Sequence, residues 1–314
     1  MTRPKTYDEQ QLLVAASLYY IDGLNQSEIA ERFSVSRPTV VRMLKEIREQ
    51  GLIEIKLTKE LPHTRVLAAE IESQYTNAGL ARVIVVDEND LSKKRVVARA
   101  AAAYLQKTVR DSDVLGVGWS TTLAHLTSFL TAPDHHPKMI VQLAGATGGV
   151  FGSNSQEISI QLSQTVSAPV SQLASPIFLA NEGARNTVLQ DRGVQETIEH
   201  FASCTIAIIG IGDVLDSSTL LQSGYLTRTD IARLADAGSV GDVLVNFFDA
   251  QGDKVKTPWD RLRVSADLQQ IKNINNVVAV VAGATKLAAV KGALTGGYVN
   301  TLIIDLELAK ALTQ

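Results

Sequence analysis

The sequence is poor in the residues that build redox and metal chemistry. Its single cysteine, Cys204, cannot form an intramolecular disulfide and leaves no CxxC pattern. Of five histidines only His135 and His136 are neighbours. They sit in a Pro-bounded loop over residues 132–137 with no third ligand nearby, so no metal or other cofactor is expected. No GK[ST] occurs, which excludes a Walker A loop, and no complete GxGxxG occurs, which disfavours a dinucleotide. Long apolar runs are also missing. Residues 206–211 and 277–282 fall far short of the ~18–20 residues of a membrane helix and read as buried strands. The polar start MTRPKTYDEQQ has no apolar signal core, so a cytoplasmic, membrane-free protein is expected. Charge of either sign is not in excess: 30 Lys+Arg face 33 Asp+Glu, a net of −3. That excludes a chain that coats nucleic acid with its whole surface and leaves room for a small binding module.

What is present is ordinary globular material. Hydrophobic residues make up 45% and charged residues 20% of 314, enough for two domains without staples. Residues 1–57 read as three helices and a short strand, and residues 58–80 as a linker and oligomerisation helix with Leu67, Ile71 and Tyr75 in one stripe. Residues 81–314 alternate β-branched runs with amphipathic helices. The predicted strands are 82–87, 114–117, 139–143, 205–209, 243–248, 277–281 and 301–305, with helices over 92–109 and 190–202. The expected architecture is α/β: a winged helix-turn-helix followed by a larger Rossmann-like domain with a mostly parallel sheet.

In the first module, Asn25 and Glu28 have capping-box spacing and open a helix at Gln26. A turn at Ser34-Val35 leads to a second helix, capped by Ser36, with Pro38 in its first turn. Val40, Met43, Leu44 and Ile47 fall on one arc and should be core. Arg37, Val41, Arg42, Lys45 and Arg48 then face outward. Residues 1–57 carry eight basic and eight acidic side chains, whereas 36–48 carry a net of +3. Two short helices with a basic outer face on the second describe a helix-turn-helix, with residues 51–57 as a wing strand. Gln26, Ser36, Arg37, Thr39, Val41, Arg42 and Lys45 are the expected contacts to double-stranded DNA. So small a footprint calls for a homodimer or homotetramer.

In the second module, a strand runs into Gly116-Val-Gly118-Trp-Ser120-Thr121-Thr122 and then an apolar helix with Leu123, Leu126 and Leu130. Glycines let the chain approach a phosphate, while hydroxyls and a helix N-terminus bind it. Other strand-end loops join it in an open α/β sheet. They are Gly145 to Gly149 with Ser153, Asn154 and Glu157; Gly210 to Asp213; Phe247 to Asp253 with Asp249; and Ala282 to Lys286. Lys286 would neutralise a phosphate and Asp249 would accept from hydroxyls. Cys204 reads as a buried hydrophobe and Trp259 as packing or a surface contact.

These residues together resemble the SorC family of bacterial transcriptional regulators. The resemblance rests on residues 23–30 (GLNQSEIA), 36–44 (SRPTVVRML), 116–122 (GVGWSTT), 240–242 (VGD), 247–253 (FFDAQGD) and 296–300 (GGYVN), in the family's order. It implies an effector domain similar in fold to sugar-phosphate isomerases and deaminases, used for sensing. It implies an operator-binding repressor of a carbohydrate or polyol operon, without enzymatic activity, that responds to a phosphorylated sugar or polyol. The loop over 118–122 would be its phosphate cradle, and Asp249 and Lys286 would line its pocket. One branch carries a Schiff-base lysine just after the Val-Gln-Leu strand. Here Ala144 follows Val141-Gln142-Leu143, so covalent capture is not expected. The competing reading is a sugar-phosphate isomerase with an accessory DNA-binding domain. It needs a general base, for which Glu157, Asp213 and Asp249 are candidates.

Overall fold

The computed structural model describes residues 7–54, 61–87, 91–131, 134–148 and 154–314. The chain divides between Leu61 and Pro62 into two compact units.

In the smaller unit, α1 (Glu9–Ala16) continues into a wider π-turn over Ser17–Ile21, and α2 (Gln26–Arg32) and α3 (Arg37–Glu49) follow. Asn25 Oδ1 accepts from Ser27 and Glu28 N–H, and Glu28 Oε2 accepts from Asn25 N–H at 2.7 Å, which completes the expected capping box. Ser36 stands at the N-cap of α3, but its hydroxyl pairs with Thr39 Oγ1 at 2.9 Å instead of a backbone N–H. The turn between α2 and α3 passes through Ser34 at φ 53°, and Val35 N–H closes it onto Ala30 O. Val40, Met43, Leu44 and Ile47 are buried with Leu12 and Ile29 in one core. Residues 51–54 form a turn and an irregular stretch where a wing strand was expected, and the remainder of that expected strand lies outside the described residues.

The larger unit begins with α4 (His63–Tyr75), β1 (Arg82–Val86), α5 (Lys93–Thr108), β2 (Val114–Val117) and β3 (Met139–Gln142). It continues with α6 (Ser155–Val166), β4 (Val170–Ser171), α7 (Glu182–Leu189), α8 (Arg192–Phe201), β5 (Ile206–Ile209) and β6 (Gly212–Asp213). Then come α9 (Thr219–Gln222), α10 (Arg228–Asp236), β7 (Gly241–Val243), β8 (Asn246–Phe248) and α11 (Leu268–Lys272). The chain closes with β9 (Asn276–Val281), α12 (Leu287–Thr295), β10 (Thr301–Asp305) and α13 (Leu306–Leu312). The main sheet has the order β1-β10-β9-β5-β2-β3-β4, with every neighbouring pair parallel.

Helices cover both faces, as near-continuous β-branched strands require. Val97 and Leu105 of α5 pack on one face with Leu123, Leu126 and Leu162. On the other lie α4, α8, α12 and α13, together with a small antiparallel sheet of β6, β7 and β8. The Leu67–Ile71–Tyr75 stripe of α4 is buried in that same core, against β1 and α13. The segment expected to link or oligomerise is thus packed into the larger unit.

One predicted strand is wrong in kind. Residues 243–248 are not continuous but belong to two antiparallel strands, β7 and β8, joined at Leu244 and Val245 with φ of 51° and 61°. From β2 the chain builds outward through β3 and β4. It then returns to the other side of β2 with β5 and continues toward β9 and β10. The reversal between β2 and β5 opens a crevice at the carboxyl ends of the strands.

Candidate functional site

A cavity of about 250 Å³ occupies that crevice. The loop after β2 supplies Trp119, Ser120, Thr121 and Thr122, the loop after β5 supplies Gly210 through Asp213, and the loop after β9 supplies Ala282, Thr285 and Lys286. Asp242 and Leu244 enter from the small sheet and Lys94 from the first turn of α5.

Glycine brings these loops together. A Cβ on Gly210 would lie 2.5 Å from Ser120 Cβ, and one on Gly118 would lie 2.9 Å from Leu244 Cδ2. A Cβ on Gly212 would lie 1.9 Å from Asp242 Oδ1. Gly118 is therefore a spacer behind the lining.

The hydroxyl loop is preorganised. Ser120 Oγ accepts from Leu123 N–H at 2.9 Å, and Lys94 Nζ donates to Thr121 Oγ1 at 2.9 Å. The expected helix after this loop is a short 3-10 segment, Leu123–Phe129, with Leu130 beyond its end. Hydroxyls and Lys94, not a long helix dipole, face the cavity on this side.

Across the cavity, Asp213 is only 3% exposed. Its Oδ1 accepts from Leu215 N–H and Ser217 Oγ, both at 3.3 Å. Lys286 Nζ lies 2.7 Å from Asp213 Oδ2, yet that oxygen has no partner in hydrogen-bond geometry. Asp242 Oδ2 accepts from Val245 N–H at 2.9 Å. Burial pushes the Asp242 carboxyl up to about 6, against the downward pull of the Val245 N–H and Lys286.

Of the residues expected to bind a ligand, Ser120, Thr121, Thr122 and Lys286 line the cavity, while Gly145, Glu157 and Asp249 do not. Gly145 is a close-packing position whose Cβ would meet Pro176 O at 2.5 Å. Glu157 accepts from Gln161 Nε2 on α6. Asp249 Oδ1 accepts from Gln251 and Asp253 N–H, which makes it the organiser of a tight turn. Ser153 and Gly149 lie outside the described residues. Lys94 and Asp242 had no assigned role. Asp242 stood inside the Val240-Gly241-Asp242 motif, and Lys94 in a Lys-Lys-Arg helix start that reads as a solvated face.

On the smaller unit, the expected DNA contacts share one outer surface of α2 and α3. Arg37 Nε donates to Gln26 Oε1 and Arg42 Nη2 to Thr39 Oγ1, both at 3.4 Å. Lys45 lies 3.5 Å from Glu49, and Val41 is 45% exposed between the basic residues.

The remaining sequence candidates are structural. Burial pushes the Cys204 thiol up to about 12, so it is an inert thiol. His136 N–H and the His135 ring hold the Asp111 carboxylate, at 2.8 and 3.5 Å. Trp259 packs on Phe247 at 6.0 Å between ring centres. Among the described residues no cluster of His, Cys, Asp and Glu fits a metal ion, and no helix is long and apolar enough to cross a membrane.

Residues 60–314 match the Sugar-bind family, a sugar-binding domain, and residues 7–60 match the MarR family. The deoxyribonucleoside regulator of Bacillus subtilis is 30% identical, over 98% of both chains. The erythritol catabolism regulatory protein of Brucella abortus is 23% identical, over 97% of this chain and 96% of its own. The full-length sorbitol operon regulator of Klebsiella pneumoniae shares the fold, with a TM-score of 0.75 at 20% identity over 97% of this chain and 99% of that one.

Proposed function

This chain belongs to the Sugar-bind family of transcriptional regulators, and from that premise we propose that it represses a carbohydrate or polyol operon and is released by a phosphorylated sugar or polyol. The observation that carries the effector half is the cavity at the β2–β5 reversal. It combines a hydroxyl loop, two lysines and two buried carboxylates, the groups that hold a phosphate and a polyhydroxylated body. Lys286 is paired to Asp213, and Asp242 is tied to its own turn. The named relatives are transcriptional regulators, which supports a reading of sensing without turnover.

DNA recognition is assigned to α3. Arg37 and Arg42 read bases or phosphates from its first two turns, with Gln26, Ser36, Thr39, Val41 and Lys45 around them. One such module buries little surface, so the working form is a homodimer or homotetramer. The effector shifts the balance between a DNA-competent and a DNA-incompetent assembly by its differential affinity for the two.

Fluorescence anisotropy with the promoter fragment adjacent to the gene tests this. Arg42→Ala should weaken operator binding by roughly 10- to 100-fold. Its affinity for a sugar or polyol phosphate should stay unchanged. Loss of both together would place Arg42 in the stability of the unit and remove it from the interface.

A further inference from the structure

The polar groups of the cavity are segregated by the sheet. Lys94 and the hydroxyl loop meet on the face carrying α5 and the 3-10 segment, where Lys94 Nζ reaches Thr121 Oγ1 at 2.9 Å. Asp213 and Asp242 belong to the small sheet on the opposite face. Lys286, the obvious phosphate partner from sequence, is held 2.7 Å from Asp213. Asp213 Oδ2 is nearly fully buried and lies in ion-pair contact with Lys286 Nζ outside hydrogen-bond geometry, so the carboxylate keeps room to accept from a ligand hydroxyl.

From this we infer that the cavity takes its ligand in one orientation and selects for an uncharged tail. The phosphate end lies against Lys94 and residues 120–122, and neutral hydroxyls donate to Asp213 and Asp242. The ligand class is then phosphorylated polyols and sugars, to the exclusion of sugar-acid phosphates of the same length. Lys286 faces both aspartates, while Lys94 lies across the cavity with the phosphate, so a second anionic end would meet carboxylates in a poorly hydrated site. It would also remove a hydroxyl donor from which these carboxylates can accept. This inference rests on the effector reading above and sharpens it.

Matched pairs that differ only in CH₂OH against COO⁻ test it. Glucitol 6-phosphate with gluconate 6-phosphate, and erythritol 4-phosphate with erythronate 4-phosphate, are titrated calorimetrically into the full chain at neutral pH. In at least one pair the polyol should bind at least about tenfold more tightly than its acid. Asp213→Asn or Asp242→Asn should narrow that ratio by strengthening the acid. Lys94→Ala should weaken both members of a pair alike and keep the ratio.

Equal binding of acid and polyol by the wild-type chain overturns the inference. So does an unchanged ratio in both aspartate variants with melting temperatures no lower than the wild type's, or a failure of every pair to bind. Operator binding, measured in parallel, separates the two levels. If DNA is bound and is released by a compound outside this class, the regulator reading stands and the inference falls. If polyols bind with the expected preference and no DNA is bound, the reverse holds.

Discussion

Asp242 shows how far the site departs from a relaxed structure. Burial lifts its carboxyl from 3.8 to about 6. The folded chain therefore holds this proton more tightly than the unfolded chain between roughly pH 4 and 6. Stability from this group is highest below that window and falls as pH rises through it. At neutral pH the penalty is on the order of 3 kcal/mol. Asp242→Asn keeps an acceptor for Val245 N–H and removes the charge. It should raise the melting temperature at pH 7.5 by several degrees, with the gain vanishing near pH 4. A pH-independent difference in differential scanning fluorimetry would mean that the buried charge is not what destabilises the wild type. Single residues were also where sequence reasoning divided. The Ser120–Thr122 hydroxyls were legible because they directly follow a strand end, where a ligand lies in an open α/β sheet. Asp242 was not, because a buried carboxylate and a turn-forming one such as Asp249 look alike until the chain is folded.

Among the elements, the β7–β8 hairpin is the one the sequence concealed. Tight two-residue turns ordinarily carry Asn or Gly, since both central residues need positive φ. Here Leu244 and Val245 occupy those positions within Val-Leu-Val-Asn-Phe-Phe, which reads as a strand by composition. Tertiary hydrogen bonds hold the conformation that the side chains disfavour. Asn246 Nδ2 donates to Val243 O, Leu244 O and Ala266 O, and Ser265 Oγ donates to Leu244 O. Asn246→Ala removes three hydrogen bonds to buried carbonyls, of which Leu244 O keeps the Ser265 hydroxyl, and should destabilise the larger unit by about 2–4 kcal/mol. Because Leu244 lines the cavity, polyol-phosphate affinity should fall as well, and urea unfolding with calorimetry would show both losses. Unchanged stability would assign the turn's geometry to its packing alone. The central parallel strands were legible for the opposite reason: burial on both faces demands long β-branched runs, and few other elements tolerate them.

Among the described residues, the buried cluster of the smaller unit shares no residue with the two clusters of the larger unit. Leu12, Ile29 and Met43 belong to the former, while the larger unit encloses α4 within its own. A fragment spanning residues 62–314 should therefore fold, show the upper melting transition of the full chain, and bind polyol phosphates with full-length affinity. Failure of that fragment to melt cooperatively would mean that the smaller unit contributes to its stability. Domain order and the helix-turn-helix were readable from caps and periodicity, which are local. The two units divide between Leu61 and Pro62. The segment after that point looked like a linker, because burial of Leu67, Ile71 and Tyr75 depends on strands that come later in the chain.

The contact between Gly212 and Asp242 also bears on how such sequences diverge. Any side chain at 212 would collide with the carboxylate at 242, so position 212 is not free to drift alone. A residue larger than glycine at 212 becomes tolerable only after 242 has shrunk or turned away, and that change gives up the carboxylate facing the cavity. Across descendants of this chain the two positions should vary as a pair, and a lineage that has lost Gly212 should have changed its ligand.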